Sequence, residues 1–194
     1  ETHMHDDFGN AVANSLAGFD YGAGWTSAAL LGIGERAGNA AMEEILINLH
    51  YTEGFEGRYD LSCLMELVRF MEAELGIVVP GNKAVVGKNV FVHRSGIHAA
   101  AVIRDPRTYE PFPPELIGAD RALIAGPTSG LEIVAYKVNE VLAARRMGMT
   151  LSKDDPRIRA IFEEIRGFYD GNERRQRADV SSEELETLVL KHIG

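Results

Sequence analysis

The sequence is poor in cysteine, in positive charge and in long apolar runs. Cys63 is the only cysteine among 194 residues, so no disulfide can form within the chain, which is typical of a reducing compartment. We predict that Cys63, in the run LSCLMELVRF, is a small core residue. The net charge of −9 argues against non-specific nucleic-acid binding. Every apolar stretch is far shorter than the ~18 residues of a membrane span. A cytoplasmic globular protein without nucleic-acid or membrane partners is expected.

The first part of the chain alternates strand-like and helix-like segments. THMH and WTSAALL are each followed by a polar loop, DDFG or GIGERAGN, and then by a helical segment. This α/β pattern predicts a parallel sheet whose ligands bind at loops after the carboxyl ends of the strands. Two such strands need neighbours on both sides. We therefore expect residues 1–55 to be the last two strand–helix units of a (β/α)₈ TIM barrel, with the other units outside this sequence.

The remainder of the chain is predicted to be mainly helical. A linker subdomain is expected over residues 56–128, where a helical segment is followed by VVPGNKAVVGKNVF, a short helical turn and a proline-rich loop. A helical C-terminal subdomain is expected over residues 129–194. Its helices are predicted to begin near Ser129, Pro156 and Ser181, the last in a capping box.

HMHDD, at the first strand, places two histidines on one side of the chain. Successive side chains of a strand alternate faces, so His3 and His5 point the same way. Two imidazoles with nearby oxygen ligands suit a divalent ion such as Zn²⁺, Mn²⁺ or Mg²⁺. From these residues alone, two histidines facing a solvated barrel mouth are the simpler interpretation.

A second motif favours the metal site over two solvent-facing histidines. HMHDDFGNAVANS together with GIGERAGNA closely resembles strands seven and eight of the metal-dependent Claisen-type synthases, the family of isopropylmalate, homocitrate, citramalate and Re-citrate synthases. FVHRSGIHAAAVIRDPRTYEPFPPELIG resembles the linker subdomain of the same family, and the resemblance weakens after about Arg145. It implies an acyltransferase of amino-acid biosynthesis that condenses acetyl-CoA with a 2-oxo acid at a divalent metal, giving a 2-hydroxy carboxylic acid and CoA.

The resemblance also implies which residues form the metal site. His3 and His5 would be ligands, and Asn39 would add an amide oxygen, as in isopropylmalate synthases. Asn39 thereby disfavours the lysine-pathway homocitrate synthases. A further aspartate ligand would come from a barrel strand outside this sequence. The residues implied to surround the metal, the substrate or CoA are Asp6, Asp7, Gly34, Glu35 and Arg36.

Two residues of the linker subdomain are implied to be catalytic. In the family, the histidine of SGIH and the tyrosine of TYE, here His98 and Tyr109, reach the active site of the neighbouring subunit of a homodimer. Histidine suits proton transfer because its pKa lies near working pH. Tyr109 would orient His98 or donate to the developing oxyanion.

Departures from the family pattern leave alternatives open. Asp6 replaces the usual asparagine, Ala29 replaces a threonine or serine, and SGL…AYxxN is closer to Re-citrate synthase. The 2-oxo acid therefore stays open between pyruvate, 2-oxoisovalerate, 2-oxoglutarate and oxaloacetate. A thioester lyase of the superfamily is disfavoured, because GIGERAGN lacks that group's cysteine. A different class of function, a non-catalytic C-terminal subunit or fragment of a split synthase, is also open.

Overall fold

The structure is a computed structural model that describes residues 1–52, 54–55, 57–94, 96–126, 129–168 and 179–194, with the backbone alone described over 96–99. These residues form two compact units, one of Glu1–Phe91 with Pro114–Asp120 and the other of Val92–Pro113 with Arg121–Gly194. The three-part division drawn from the sequence stays a prediction. Within the described ranges, no helix has both the length and the apolar character that crossing a bilayer requires.

The first unit begins with a strand–helix–strand–helix segment. β1 (Thr2–His3) and β2 (Thr26–Ser27) are parallel, with Thr2 opposite Thr26 and His3 opposite Ser27. α1 (Ala11–Asp20) connects the two strands, and α2 (Met42–His50) follows β2. The α/β alternation is therefore present, as the sequence indicates.

Both strands are much shorter than predicted. The expected strand over 25–31 ends at Ser27, because Leu30–Gly32 forms a 3₁₀ turn in which Leu31 has a φ of 61°. A non-glycine residue rarely adopts this left-handed conformation, and it turns the chain away from an extended path. Beyond the two strands, pairing continues only as single bridges between His5 and Asn39 and between Ala29 and Ala41 among the described residues.

Apolar faces of the helices hold this first unit together. In α1 and α2, the buried residues Ala11, Ile45 and Leu49 pack with Ala40. α3 (Leu64–Leu75) buries Leu64 and Val68, which lie one helical turn apart. The prediction of a buried Cys63 is wrong: Cys63 is exposed, because it precedes α3 and lies off this buried face.

The second unit contains a small parallel sheet that the sequence did not reveal. β3 (Val92–His93) pairs with β4 (Ala122–Leu123), Val92 opposite Ala122 and His93 opposite Leu123. Strands of two residues are too short to show the alternation by which a strand is recognised. The helix α4 (Gly96–Arg104) follows β3 and is longer than the single turn expected there.

Three helices form the core of the second unit, as predicted. They are α5 (Leu131–Ala144), α6 (Pro156–Gly167) and α7 (Ser182–Ile193). Ser181 caps α7 in the expected capping box with Glu184. The fully buried side chains that these helices share include Ile133, Val134, Val138, Leu142, Ile158, Ile161, Ile165 and Val189.

Candidate functional site

The two histidines of HMH lie side by side, as strand alternation predicts. The ring centroids of His3 and His5 are 5.0 Å apart in an edge-to-face arrangement. His3 is exposed and His5 is half-buried. Among the described atoms, the buried Nδ1 of His5 has no hydrogen-bond partner.

Asn39 lies directly opposite His5 in an antiparallel bridge. The backbone N–H of Asp6 donates to Gly38 O and that of Ala40 donates to Met4 O, each over 3.0 Å. These bonds flank the His5–Asn39 pair, which makes it a non-hydrogen-bonded pair, the kind whose side chains approach most closely. Cβ atoms in such pairs lie about 4.5–5.5 Å apart. The bridge thus brings an imidazole and an amide together on one face.

The amide of Asn39 is held at one end and unpaired at the other. Its Nδ2 donates to Ile33 O over 3.2 Å, and this bond leaves Oδ1 as the free end of the amide. Oδ1 is buried and, like His5 Nδ1, has no hydrogen-bond partner within the described part of the chain. A buried polar atom without a partner costs about 1–3 kcal/mol. Two such atoms from neighbouring residues therefore indicate a ligand between or beside them.

The donor set fits a divalent cation. Imidazole nitrogen and amide oxygen are both ligand types for such ions. The described residues nevertheless contain no cluster of three or more His, Cys, Asp or Glu side chains that could hold a metal ion. His3, His5 and Asn39 stay candidate ligands, and the expected further ligand from another strand stays a prediction.

The glycines of GIGERAGN give the backbone and Asn39 room to approach. A Cβ at Gly34 would lie 2.6 Å from Asn39 Nδ2 and 2.9 Å from its Oδ1. A Cβ at Gly38, whose φ is +97°, would lie 2.1 Å from Gly32 O. The loop is closed by the bond from Asn39 N–H to Gly32 O, 2.9 Å long. The glycines therefore allow a tight turn of the backbone, and Gly34 also accommodates the Asn39 side chain.

Three charged side chains of the two loops, those of Asp6, Asp7 and Arg36, have structural partners. Asp6 Oδ1 accepts from the backbone N–H of Ala11 over 2.9 Å and so stabilises the start of α1. Asp7 and Arg36 form a two-bond ion pair, with Arg36 Nε donating to Asp7 Oδ1 over 2.9 Å and Nη2 to Oδ2 over 3.1 Å. The Arg36 hydrogen bond lowers the pKa of Asp7. Glu35 is exposed, and its backbone carbonyl accepts from Gly38 N–H.

A buried carboxylate beside this loop was missed by sequence reasoning. Glu43, in the first turn of α2, is fully buried, and its Oε2 accepts from Leu31 N–H over 2.9 Å. Lys83 Nζ forms ion pairs with Glu43 and Glu44. Burial opposes the charge of Lys83, but its bonds to Glu44 and Glu43 outweigh that effect, and the pKa of Lys83 is raised. In the sequence, Glu43 and Glu44 are simply two acidic residues in the first turn of a helix, where the helix dipole favours negative charge. Nothing in that pattern indicates that one of them is buried.

A polar cleft joins these features within the first unit. It has a volume of about 290 Å³, and its lining includes Asp6, Leu31, Gly32, Asn39 and Lys83. The candidate ligand Asn39 and the Lys83 cluster therefore open onto the same space.

The two predicted catalytic residues lie in the second unit. His98 is part of α4, and its side chain lies outside the described atoms. The Tyr109 ring is half-exposed and stacks edge-to-face on His93, 5.6 Å between centroids. His93 Nε2 lies 3.0 Å from Glu110 Oε1, and Arg121 donates to both Glu110 oxygens over 2.6 Å. This cluster holds Glu110, the residue that follows Tyr109 in the chain.

Family comparisons agree with the sequence motifs. The HMGL-like family model matches residues 1–71, and the model described as Homocitrate synthase post-HMGL domain-like matches residues 85–173. Residues 1–71 are therefore similar to the HMGL-like family, and residues 85–173 to its post-HMGL domain. The HMGL-like match implies the TIM-barrel superfamily for the first part. The predicted family resemblance is confirmed.

Relatives that are named as three different synthases match nearly the whole chain. It is 40% identical to homocitrate synthase AksA of Methanopyrus kandleri over 192 residues, 99% of this chain and 46% of that protein. It is 38% identical to 2-isopropylmalate synthase of Geobacillus stearothermophilus over 193 residues, 97% of this chain and 35% of that protein. The putative (R)-citramalate synthase CimA of Methanopyrus kandleri is 39% identical over 178 residues, which are 92% of this chain and 33% of that protein.

Two conclusions follow from these relatives. The chain spans less than half the length of each of them. Identities of 38–40% to proteins with three different substrate names do not discriminate between 2-oxo acids. Asn39 had suggested the isopropylmalate type rather than the homocitrate type. These identities do not support that preference.

Proposed function

We propose that the protein containing this chain is an acyltransferase that condenses acetyl-CoA with a 2-oxo acid and releases CoA. The observation that carries the proposal is the His5–Asn39 pair, whose buried Nδ1 and Oδ1 have no hydrogen-bond partner among the described residues. The match of residues 1–71 to the HMGL-like family model supports it, as do relatives named as homocitrate, 2-isopropylmalate and citramalate synthases.

We assign His3, His5 and Asn39 as this chain's ligands to a divalent cation, Zn²⁺, Mn²⁺ or Mg²⁺. Bound there, the cation would supply Lewis-acid polarisation of the 2-oxo group. Asn39 is oriented for this role by its bond to Ile33 O. The Asp7–Arg36 ion pair ties the loop after β1 to the loop after β2 and so fixes the two ligand-bearing segments relative to each other.

The barrel assignment of residues 1–55 belongs to the same proposal. The parallel β1–α1–β2–α2 order agrees with two consecutive units of a (β/α)₈ barrel. Phe8, Tyr21 and Trp25 are 93%, 93% and 77% exposed. Large apolar side chains at such exposure indicate a surface that further protein covers. We infer that the earlier barrel units cover it and supply the remaining ligand.

We assign proton transfer to His98 and Tyr109, acting on the active site of the partner in a homodimer. The methyl group of acetyl-CoA loses a proton, its carbon bonds to C2 of the 2-oxo acid, and the former carbonyl oxygen takes up a proton. Water then cleaves the thioester, leaving a carboxylate and the CoA thiol. His98 would relay a proton during condensation, and the Tyr109 hydroxyl would donate to the oxygen that gains charge.

The full-length protein, assayed with acetyl-CoA and each of pyruvate, 2-oxoisovalerate, 2-oxoglutarate and oxaloacetate, tests the activity. We expect thiol release with one of the four, lost on chelation and restored by Mn²⁺ or Zn²⁺. A preference for oxaloacetate would identify the Re-citrate type. Thiol release that persists after exhaustive chelation, or no release with any of them, would contradict the proposal.

A mixture of variants tests the shared active site. His3→Ala and His98→Ala subunits should each be inactive alone. If His98 acts across the dimer, mixed dimers contain one intact site and should recover up to about a quarter of the wild-type activity under random exchange. No recovery despite verified subunit exchange would place both residues in the same subunit's site.

A non-catalytic subunit remains the second candidate, because the described residues hold only a partial ligand set. Intact mass of the natural protein separates the two. A species near 21.3 kDa that restores activity only when a separate barrel half is added would establish the split form.

A further inference from the structure

Glu43 is a buried carboxylate without a part in the proposed chemistry. It is fully buried, and burying an ionised carboxylate is costly unless it is paired and hydrogen-bonded. Its Oε2 accepts from Leu31 N–H over 2.9 Å. Its Oε1 lies 3.0 Å from Lys83 Nζ, in an ion pair not aligned as a hydrogen bond.

The bond to Leu31 acts on a strained point of the backbone. Leu31 has a φ of 61°, a conformation that a branched side chain rarely adopts and that persists only when its surroundings impose it. The Glu43 oxygen is the partner that the structure gives to the Leu31 N–H. Glu43 therefore stabilises the turn that ends β2.

That turn leads directly to the candidate ligand. Gly32, next in the chain, has a φ of 69°, and its carbonyl accepts from Asn39 N–H over 2.9 Å. An ion pair thus links Lys83 to Glu43, and hydrogen bonds link Glu43 to Leu31 and Gly32 O to the backbone N–H of Asn39. A shift at Leu31 moves the carbonyl that anchors Asn39, whose Oδ1 is the unpaired end.

We propose that Glu43 is a positioning residue for the metal site, holding the Leu31–Asn39 loop so that Asn39 Oδ1 faces the cation, and that Lys83 neutralises it from the linker. The inference rests on the proposed function. Groups that orient metal ligands typically change affinity 10–100-fold when removed. Glu44 is the matched control, because it also pairs with Lys83 but has no bond to Leu31.

Mn²⁺ alone is the probe, titrated into the full-length protein by electron paramagnetic resonance. Glu43→Ala should weaken Mn²⁺ binding at least tenfold, and Glu44→Gln by less than threefold. Deuterium exchange should accelerate in the peptide containing Leu31 and Asn39 for Glu43→Ala alone. If Glu43→Ala does not fold, the double variant Glu43→Gln/Lys83→Met keeps an oxygen for the Leu31 N–H without a buried charge. It should bind Mn²⁺ within threefold of wild type.

The outcomes separate the two proposals. Unchanged Mn²⁺ affinity in folded Glu43→Ala, or equal losses in the Glu43 and Glu44 variants, overturns the positioning role. A loss of Mn²⁺ affinity above tenfold in Glu43→Gln/Lys83→Met also overturns the positioning role. A wild-type protein that binds no Mn²⁺ refutes the metal site itself. In that case, deuterium exchange of the peptide containing Leu31 and Asn39 still tests whether Glu43 holds the loop. Faster exchange in Glu43→Ala supports that role, and unchanged exchange overturns it.

Discussion

Gly34→Ala is a one-carbon change that tests Asn39 as a ligand without touching it. The added Cβ would lie 2.6 Å from Asn39 Nδ2, 2.7 Å from Cγ and 2.9 Å from Oδ1. Ordinary contact begins at 3.4 Å, so the amide must move by about 0.8 Å. Metal–ligand distances tolerate only about ±0.2 Å. If Asn39 is a ligand, as proposed, the displaced amide would lose its bond to the cation.

The expected loss is large for the metal and small for the fold. Mn²⁺ affinity of the full-length protein should fall about 10–100-fold, which corresponds to roughly 1.4–2.8 kcal/mol. Gly34 lies outside the left-handed region, so alanine is compatible with the backbone there. The free energy of unfolding should fall by only about 1 kcal/mol, the typical net contribution of a hydrogen bond such as that from Asn39 Nδ2 to Ile33 O. We therefore expect a large loss of Mn²⁺ affinity together with a small change in the free energy of unfolding.

Isothermal titration with Mn²⁺ and denaturant unfolding measure the two quantities. Gly24→Ala is the matched control, because nothing lies within 4 Å of its Cβ. Asn39→Ala should lose at least as much affinity as Gly34→Ala, and combining the two should add little, because both act through one amide. A folded Gly34→Ala protein that binds Mn²⁺ within twofold of wild type would refute Asn39 as a ligand.

Two further predictions concern the second unit. Ile161→Ala removes a fully buried side chain and should lower the free energy of unfolding by about 2–5 kcal/mol in denaturant titrations, against under about 0.5 kcal/mol for the exposed Ile103→Ala. The opposite order would contradict the assigned core. Burial raises the pKa of Glu110, but bonds from Arg121 and His93 outweigh it and the net pKa is lowered. This stabilisation is complete above the ordinary glutamate pKa and is lost as pH falls through the lowered value. Glu110→Gln should therefore flatten the acid side of the stability profile below about pH 4.5, and an unchanged slope there would argue against the cluster.

Local regularities made much of the helical structure predictable. α5, α6 and α7 follow from apolar residues spaced three and four apart, and the capping box at Ser181 marks the start of α7. These signals depend on neighbours within one or two turns, so the sequence contains all of them. The strands were harder, because β1 to β4 are two residues each and their bounds depend on distant partners.

The same distinction between local and long-range information applies to the candidate site. By itself, the sequence determined that His3 and His5 share a face, since alternation is a property of any extended chain, and that the loop glycines allow a tight turn. Only the tertiary structure decided that Asn39 faces His5 and that Glu43 is buried against Leu31. Pairing across a bridge and burial of a charge depend on which distant segments meet in space, and spacing along the chain does not encode that.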